Sequence, residues 1–377
     1  MDILFIVTGI LCVFSYFIYP VVLKCIPERK KITISSEKQR RLSVSLIITA
    51  HNEEKRIREK LINTLAIDYP EELLEVIVAS DFSTDQTDEI VLSYASKGVR
   101  LVRADERKGK EYAQLCAIKQ ARGDILVFSD VATKIEPNAF HLLVEHFDDP
   151  KVGAVSSEDR FISQDGNIVG EGAYVKYEMW LRALESSRAG LVGLSGSFFA
   201  AKREVCDEWD IRSPSDFNTA LNCAKKGLVA VSSPSVIGIY SDVKDPSLEY
   251  QRKIRTIIRG ITAISRHVEV LNPFKFGLFA FQVWSHKMLR WAVPWFLISF
   301  FIITLLLCSD HWFYMLTLIL QILFYGCVLF GHLLPKLRNN TLVKIPYFFV
   351  QVNLAIAVAT LKFLTGKRMT TWSPSQR

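Results

Sequence analysis

Three short stretches place oxygen-bearing side chains directly after apolar runs: "TAHNEE" (49–54), "SDFSTDQT" (80–87) and "SDVAT" (129–133). They deliver Asn52, Glu53, Asp81 and Asp130 to the ends of segments that are otherwise mostly apolar. Such a set suits a nucleotide, because carboxylates accept hydrogen bonds from base and ribose while a divalent cation screens the phosphates. The two common glycine-rich phosphate cradles, G-x-G-x-x-G and G-x-x-x-x-G-K-[ST], do not occur in the chain. Two positions beyond Asp130 stands Ala132, whose side chain offers no oxygen. A plainer role competes at each position, since Asp at the end of a strand is also a turn former and helix cap. Asp85 fits capping at least as well as contact.

Side chains of this kind need strands behind them. "LSVSLIITA", "LLEVIVAS", "VRLVRA", "DILVFSD" and "VGAVSS" read as short buried strands, four of them separated by polar, helix-compatible stretches. Strand alternating with helix predicts an α/β domain with a mostly parallel sheet, whose ligand crevice lies at the carboxyl ends of the strands. The domain is expected over residues 42–246.

These residues, with several further motifs, resemble a known family: the inverting GT-A glycosyltransferases of family 2, the broad group containing cellulose, chitin and hyaluronan synthases. The likeness is carried in order by "SLIITAHNEEKRI", "VIVASDFSTDQT", "RKGKEYAQLCAI", "VFSDVATKIEPNAF", "GLSGSFFAAKR", "SDFNTALNCAKKG" and "EYQRKIRTIIRG". It implies a Rossmann-like GT-A domain and transfer from a UDP-sugar with inversion. The resemblance puts Ala50, Glu53 and Asp81 around the uridine, with Asp81 accepting from the uracil imide, and makes Lys110 a cationic nucleotide contact. It makes Asp130 the first carboxylate of the family's metal motif, holding Mg²⁺ or Mn²⁺ against the diphosphate. Asp216 corresponds to the general base, and Arg252 and Arg255 to contacts with the leaving diphosphate. The bland alternatives are a helix cap for Asp216 after Pro214, and a lipid-phosphate face for the arginines. Gly193 and Gly196 permit close backbone approach near the donor sugar or simply tight packing.

The chain departs from the family pattern at three points. Ala132 stands where many relatives carry Asp or Asn, so metal retention without substrate is expected to be weak. Ser215-Asp216 replaces the common Glu-Asp, and Thr256 occupies the position of a Trp that seats the acceptor in processive synthases. The last change favours a single-transfer enzyme acting on a polyprenyl- or lipid-linked acceptor as the rival to a polymerising one. Ala132 and Thr256 together are the only support for a silent nucleotide-binding partner subunit. His51, His286 and Lys108 are explained by loop, interface and solvent.

The chain has 377 residues, half of them hydrophobic, but the apolar residues are unevenly spread. Residues 3–23 form an uncharged run long enough to cross about 30 Å of hydrocarbon. It begins without a cationic leader and lacks a small-x-small cleavage site, so an uncleaved anchor over residues 1–24 is expected. Lys24, Arg29, Lys30, Lys31, Lys38, Arg40 and Arg41 follow, placing this flank in the cytosol by the positive-inside bias. Residues 291–364 hold three more apolar segments, the last interrupted by Gln351, Asn353 and Lys362. Four crossings would leave the basic tail, residues 365–377, on the outer side, so one apparent span is expected to be interfacial. Residues 247–290 are read as acceptor-side and interfacial helices, with the aromatic stretch 272–291 lying at the bilayer surface. "SHKMLRW" and the tail pattern "W.P..R" extend the resemblance to the membrane-bound branch of the family.

The seven cysteines show no metal spacing and are read as reduced thiols. The net charge of +7 beside apolar segments points to anionic lipid rather than nucleic acid. Expected partners are a UDP-sugar donor, a glycan or glycolipid acceptor, membrane lipids, and a homo-oligomer or export partner. The location expected is the inner or plasma membrane, multi-pass, with the catalytic domain cytosolic.

Overall fold

The computed structural model describes residues 1–32, 42–162, 173–241 and 246–369. Lys38, Arg40, Arg41 and the tail pattern "W.P..R" lie outside these residues. The chain divides into two compact units.

The larger unit is built on one eight-stranded sheet of order β3-β2-β1-β4-β7-β6-β8-β5. The strands are β1 (Val44–Ala50), β2 (Leu74–Ser80), β3 (Val99–Arg103), β4 (Ile125–Asp130), β5 (Lys134–Ile135), β6 (Val152–Ile162), β7 (Phe198–Lys202) and β8 (Val229–Ser241). Pairs within β3-β2-β1-β4 are parallel, as is β6 with β8, while β7 runs antiparallel between β4 and β6. The continuous apolar strands follow from burial on both faces. In β1, Leu46 and Ile48 face one core with Val78 and Val127, whereas Ile47 faces the other with Ile77, Leu126 and Phe128. Removing each such side chain from water contributes roughly 1.5–3 kcal/mol.

Four helices matter below: α1 (Ile57–Leu65), α2 (Lys110–Ile118), α3 (Ser215–Lys225) and α4 (Pro246–Arg266). β5, β7 and β8 have no counterpart in the strand reading of the sequence. β7 is only five residues, "FFAAK", and β8 is interrupted by "SSPS", so neither shows a clean apolar run.

Among the described residues four helices are long and apolar enough to cross a membrane, Asp2–Cys25, Pro273–Leu307, Trp312–Leu333 and Thr341–Leu364, and the smaller unit holds all of them except the start of the second, residues 273–280. The stretch 272–291, expected from the sequence at the bilayer surface, runs without a break in secondary structure from residue 273 into a helix of membrane length. Pro273 to Leu307 form one 35-residue helical run, with a non-helical backbone at Gly277. Of its polar residues Lys275 is exposed and Lys287 half-buried. His286 and Arg290 are buried, and the Arg290 guanidinium lies 4.9 Å from the Tyr16 ring. The polar residues of Thr341–Leu364 are handled similarly: Asn353 is buried and its Nδ2 donates to Phe349 O at 2.9 Å. Within this unit Ile254 and Ile258 of α4 pack on Ala355 and Ala359, and Phe5 packs on Ile303 and Leu307. All seven cysteines are unpaired.

Candidate active site

The parallel half of the sheet sets its carboxyl ends level. Ala50 pairs with Ser80, and Thr49 with Asp130, so the residues that follow β1 and β2 meet the end of β4 at one edge. Asp81 N donates to Ala50 O at 2.8 Å, and His51 Nδ1 lies 2.7 Å from Asp81 O. A carbonyl only accepts, so Nδ1 carries the proton. This backbone bracket buries Asp81 completely. Its Oδ1 accepts from Gly109 N at 2.9 Å, and its Oδ2 has no partner among the described residues. A buried carboxylate oxygen without a donor is costly, and a ligand N–H would satisfy it.

Glu53 faces a different task. Both its oxygens accept from Arg56 at 2.8 Å, and its backbone N donates to Thr87 Oγ1 at 2.7 Å. Burial pushes its carboxyl up, Arg56 opposes that, and the Asp130 charge adds to the upward push. Asp85 takes the capping role: its Oδ1 accepts from Thr87 N at 3.0 Å and its Oδ2 from Glu54 N at 3.1 Å.

Lys110 opens α2 and is buried. Its Nζ donates to Asp130 Oδ1 at 2.5 Å and to Gly196 O at 2.7 Å. Asp130 also meets this loop through its backbone, N donating to Ser197 O at 3.0 Å. Asp216, in the first turn of α3, comes to the same loop from the other side. Its backbone O accepts from Leu194 N at 3.3 Å, and a Cβ built on Gly196 would lie 3.2 Å from its Oδ2. The carboxylates of 130 and 216 therefore border one short backbone segment, 194–197.

Residues 45–209 match the family model described as glycosyl transferase family 2. That match, over under half of the chain, marks residues 45–209 as a family 2 glycosyltransferase domain. Among curated relatives, a poly-beta-1,6-N-acetyl-D-glucosamine synthase of Staphylococcus epidermidis is 28% identical over 201 residues, covering 51% of this chain and 48% of that one. The synthase of the same description from Staphylococcus aureus is 30% identical over 175 residues, covering 44% and 42%. The aligned region thus spans slightly under half the length of these relatives. Among solved structures, mannosyltransferase PcManGT from Pyrobaculum calidifontis, in complex with GDP-Man and Mn²⁺, matches with a TM-score of 0.73 at 22% identity, over 97% of this chain and 99% of that one. That match is one of fold, and the fold of the glycosyltransferase domain is GT-A.

The residues singled out from sequence fall into two groups. Ala50, Glu53, Asp81, Lys110, Asp130 and Asp216 belong to the larger unit and gather at one sheet edge. Arg252 and Arg255 lie on α4 in the smaller unit, Arg252 exposed and Arg255 half-buried.

Four further residues at this edge have no motif to announce them. Asp159 on β6 accepts from Ser195 Oγ at 2.5 Å and Ser197 Oγ at 3.2 Å, and the Tyr240 hydroxyl lies 2.9 Å from Ser197 Oγ. Burial, then the Asp159 charge, drives the Tyr240 phenol well above its ordinary range, so it stays a neutral donor. The buried Glu111 has Oε1 3.4 Å from Ser215 N, at the start of α3, where a carboxylate suits the positive end of the helix. Lys60 on α1 is also buried, beneath the end of β4. Desolvation lowers its ammonium to about 7, with the Asp130 charge opposing.

Proposed function

We propose that the chain is a membrane-bound inverting glycosyltransferase that moves a hexose from a UDP-sugar to a growing glycan or glycolipid in polysaccharide assembly. One observation carries the reading: the Lys110 ammonium ties Asp130 to the Gly196 carbonyl, and the Asp216 carboxylate lies 3.2 Å from where a Cβ on that same glycine would stand. An acid suited to the phosphate side and an acid suited to the acceptor side thus share one loop.

In this reading the unpartnered Asp81 Oδ2 accepts from the uracil imide, with Ala50 and Glu53 shaping the base and ribose site. Lys110 moves its donors from Asp130 to the diphosphate. The acceptor hydroxyl loses its proton to Asp216 as its oxygen bonds to the anomeric carbon, and the bond to the leaving phosphate breaks with its electron pair departing on UDP. Attack opposite the leaving group inverts the configuration.

The donor set at Asp130 fits a Mg²⁺- or Mn²⁺-type ion of the kind that takes one or two carboxylates and completes its shell with phosphate oxygens and water. A Lys ammonium already occupies the Asp130 carboxylate, and among the described residues no group of three His, Cys, Asp or Glu is arranged to hold a metal. When bound, such an ion neutralises charge on the departing diphosphate. Asp130 is its ligand in this proposal.

The named synthase relatives make UDP-N-acetylglucosamine the first donor to try. The test is UDP release by full-length protein in detergent, over UDP-glucose, UDP-galactose, UDP-N-acetylglucosamine and UDP-glucuronate, with GDP-mannose as the comparison donor. Release from one UDP-sugar supports the proposal, and the absence of turnover with every UDP-sugar contradicts it. Thr256 supports the alternative of single transfer to a lipid-linked acceptor, and product length on a denaturing gel separates the two readings. The proposed location is the inner or plasma membrane, with the basic flank Lys24, Arg29, Lys30 and Lys31 and the glycosyltransferase domain in the cytosol.

A further inference from the structure

The segment that follows Asp130 is clamped by one helix. Lys60 on α1 is 3% exposed, and its Nζ donates to Ser129 Oγ at 2.7 Å and to Thr133 O at 2.5 Å. One turn further along α1, Asn63 Nδ2 donates to Ile135 O at 2.8 Å, and its Oδ1 accepts from Ile135 N at 2.9 Å. The i, i+3 spacing puts Lys60 and Asn63 on one helix face. Their four bonds bracket the turn on both sides, and Thr133 N closes it by donating to Asp130 O at 3.2 Å. Ala132 lies inside this bracket.

Burying an amine is expensive, and an apolar side chain would fill the space at lower cost if packing were its only use. The amine is buried where its two acceptors sit immediately before and three residues after Asp130. Either protonation state of the amine can donate to both. A metal held through a single protein carboxylate depends strongly on the orientation of that carboxylate, because no second ligand corrects it.

We propose that Lys60 is a positioning residue that compensates for Ala132: it pins the turn around Asp130 so that one carboxylate is presented to the divalent ion in a fixed orientation. The proposal rests on Asp130 being the metal ligand, as proposed above. Without the amine, Thr133 O and Ser129 Oγ lose their donor and the turn is free to relax. Loss of such an outer support typically weakens metal binding about 10- to 100-fold.

The experiment titrates Mn²⁺ calorimetrically into full-length protein in detergent with UDP present, for the wild type, Lys60→Met, Ser129→Ala and Asp130→Asn. UDP binding without metal and the melting temperature are measured alongside. Lys60→Met is expected to weaken Mn²⁺ binding roughly tenfold or more, with metal-free UDP affinity within about twofold of wild type. Ser129→Ala, which removes one of the two acceptors, is expected to shift Mn²⁺ affinity in the same direction by a smaller factor.

Unchanged Mn²⁺ affinity in Lys60→Met, with binding lost in Asp130→Asn, overturns the role of Lys60 and leaves the metal site standing. An equal loss of metal-free UDP binding also overturns it, as general damage. If Lys60→Met does not fold, Ser129→Ala decides, and unchanged Mn²⁺ affinity there overturns the proposal. No Mn²⁺ binding in the wild type, or no loss in Asp130→Asn, overturns the underlying metal reading instead.

Discussion

Replacing Gly196 by alanine would set a methyl carbon 3.2 Å from Asp216 Oδ2, 3.5 Å from its Cγ and 3.9 Å from its Cβ. Only the first of these is tighter than ordinary contact, so the strain falls on one carboxylate oxygen. Relief requires a displacement of about 0.3 Å, judged against the usual separation of non-bonded atoms. The Asp216 side chain is half-buried in the first turn of α3, so it can yield by rotation without moving the helix. If Asp216 is the base, that displacement moves the proton acceptor relative to the anomeric carbon. A misplacement of 1 Å can cost 100-fold, so a shift of this size is expected to lower kcat roughly four- to tenfold. Gly196 O remains available to Lys110, so UDP affinity should stay within about twofold of wild type. The assay is initial-rate UDP release at saturating donor, paired with calorimetric UDP binding and a melting curve. An unchanged kcat in a protein of unchanged melting temperature would refute the placement of Asp216 at the reacting centre. A parallel loss of UDP affinity would refute the division between a donor side and an acceptor side of this loop.

Asp216→Asn is expected to reduce transfer by at least about 100-fold, the usual worth of a positioned general base, while calorimetric UDP binding is retained; substantial turnover contradicts the assignment. Mn²⁺ added to nucleotide-free protein is expected to bind weakly, because the Lys110 ammonium competes for Asp130 and Ala132 adds no oxygen, and addition of UDP should strengthen binding markedly. Tight binding before UDP is added would run against this. Lys60 supplies a pH test. The unfolded chain holds this proton up to the ordinary value of 10.5 and the folded chain releases it near 7, so between these values the unfolded state binds more protons and stability rises with pH. The melting temperature of the wild type is expected to gain a component over this range that is missing in Lys60→Met, and identical pH profiles for the two proteins would exclude it.

The strand reading succeeded where both faces of a strand are covered. β1, β2 and β4 carry uninterrupted apolar residues because each contributes to two cores, and that burial leaves a linear trace. The four membrane-length helices announce themselves by long uncharged runs, which likewise leave a linear trace. The stretch 273–291 was harder. Its cations suggest a surface helix, and the burial of His286 and Arg290 within it is not written in local composition.

Local sequence determined which residues end the parallel strands, because apolar runs and the polar residues after them are properties of neighbours along the chain. It could not determine that Asp130 and Asp216 border one loop. That depends on β7 pairing antiparallel with β4, which sets Phe198 opposite Ser129 and brings Gly196 to the Lys110 ammonium. Nor could it mark Lys60, which sits in a charged stretch and reads as solvated until the residues after Asp130 fold over α1. The first decision rests on Lys110 and Asp130 meeting the loop 194–197, roughly 65 to 85 residues on, and on that loop meeting Asp216, about 20 residues further; the second rests on Lys60 meeting Ser129 and Thr133, roughly 70 residues on. Only the closed sheet brings those segments together and removes their polar groups from water.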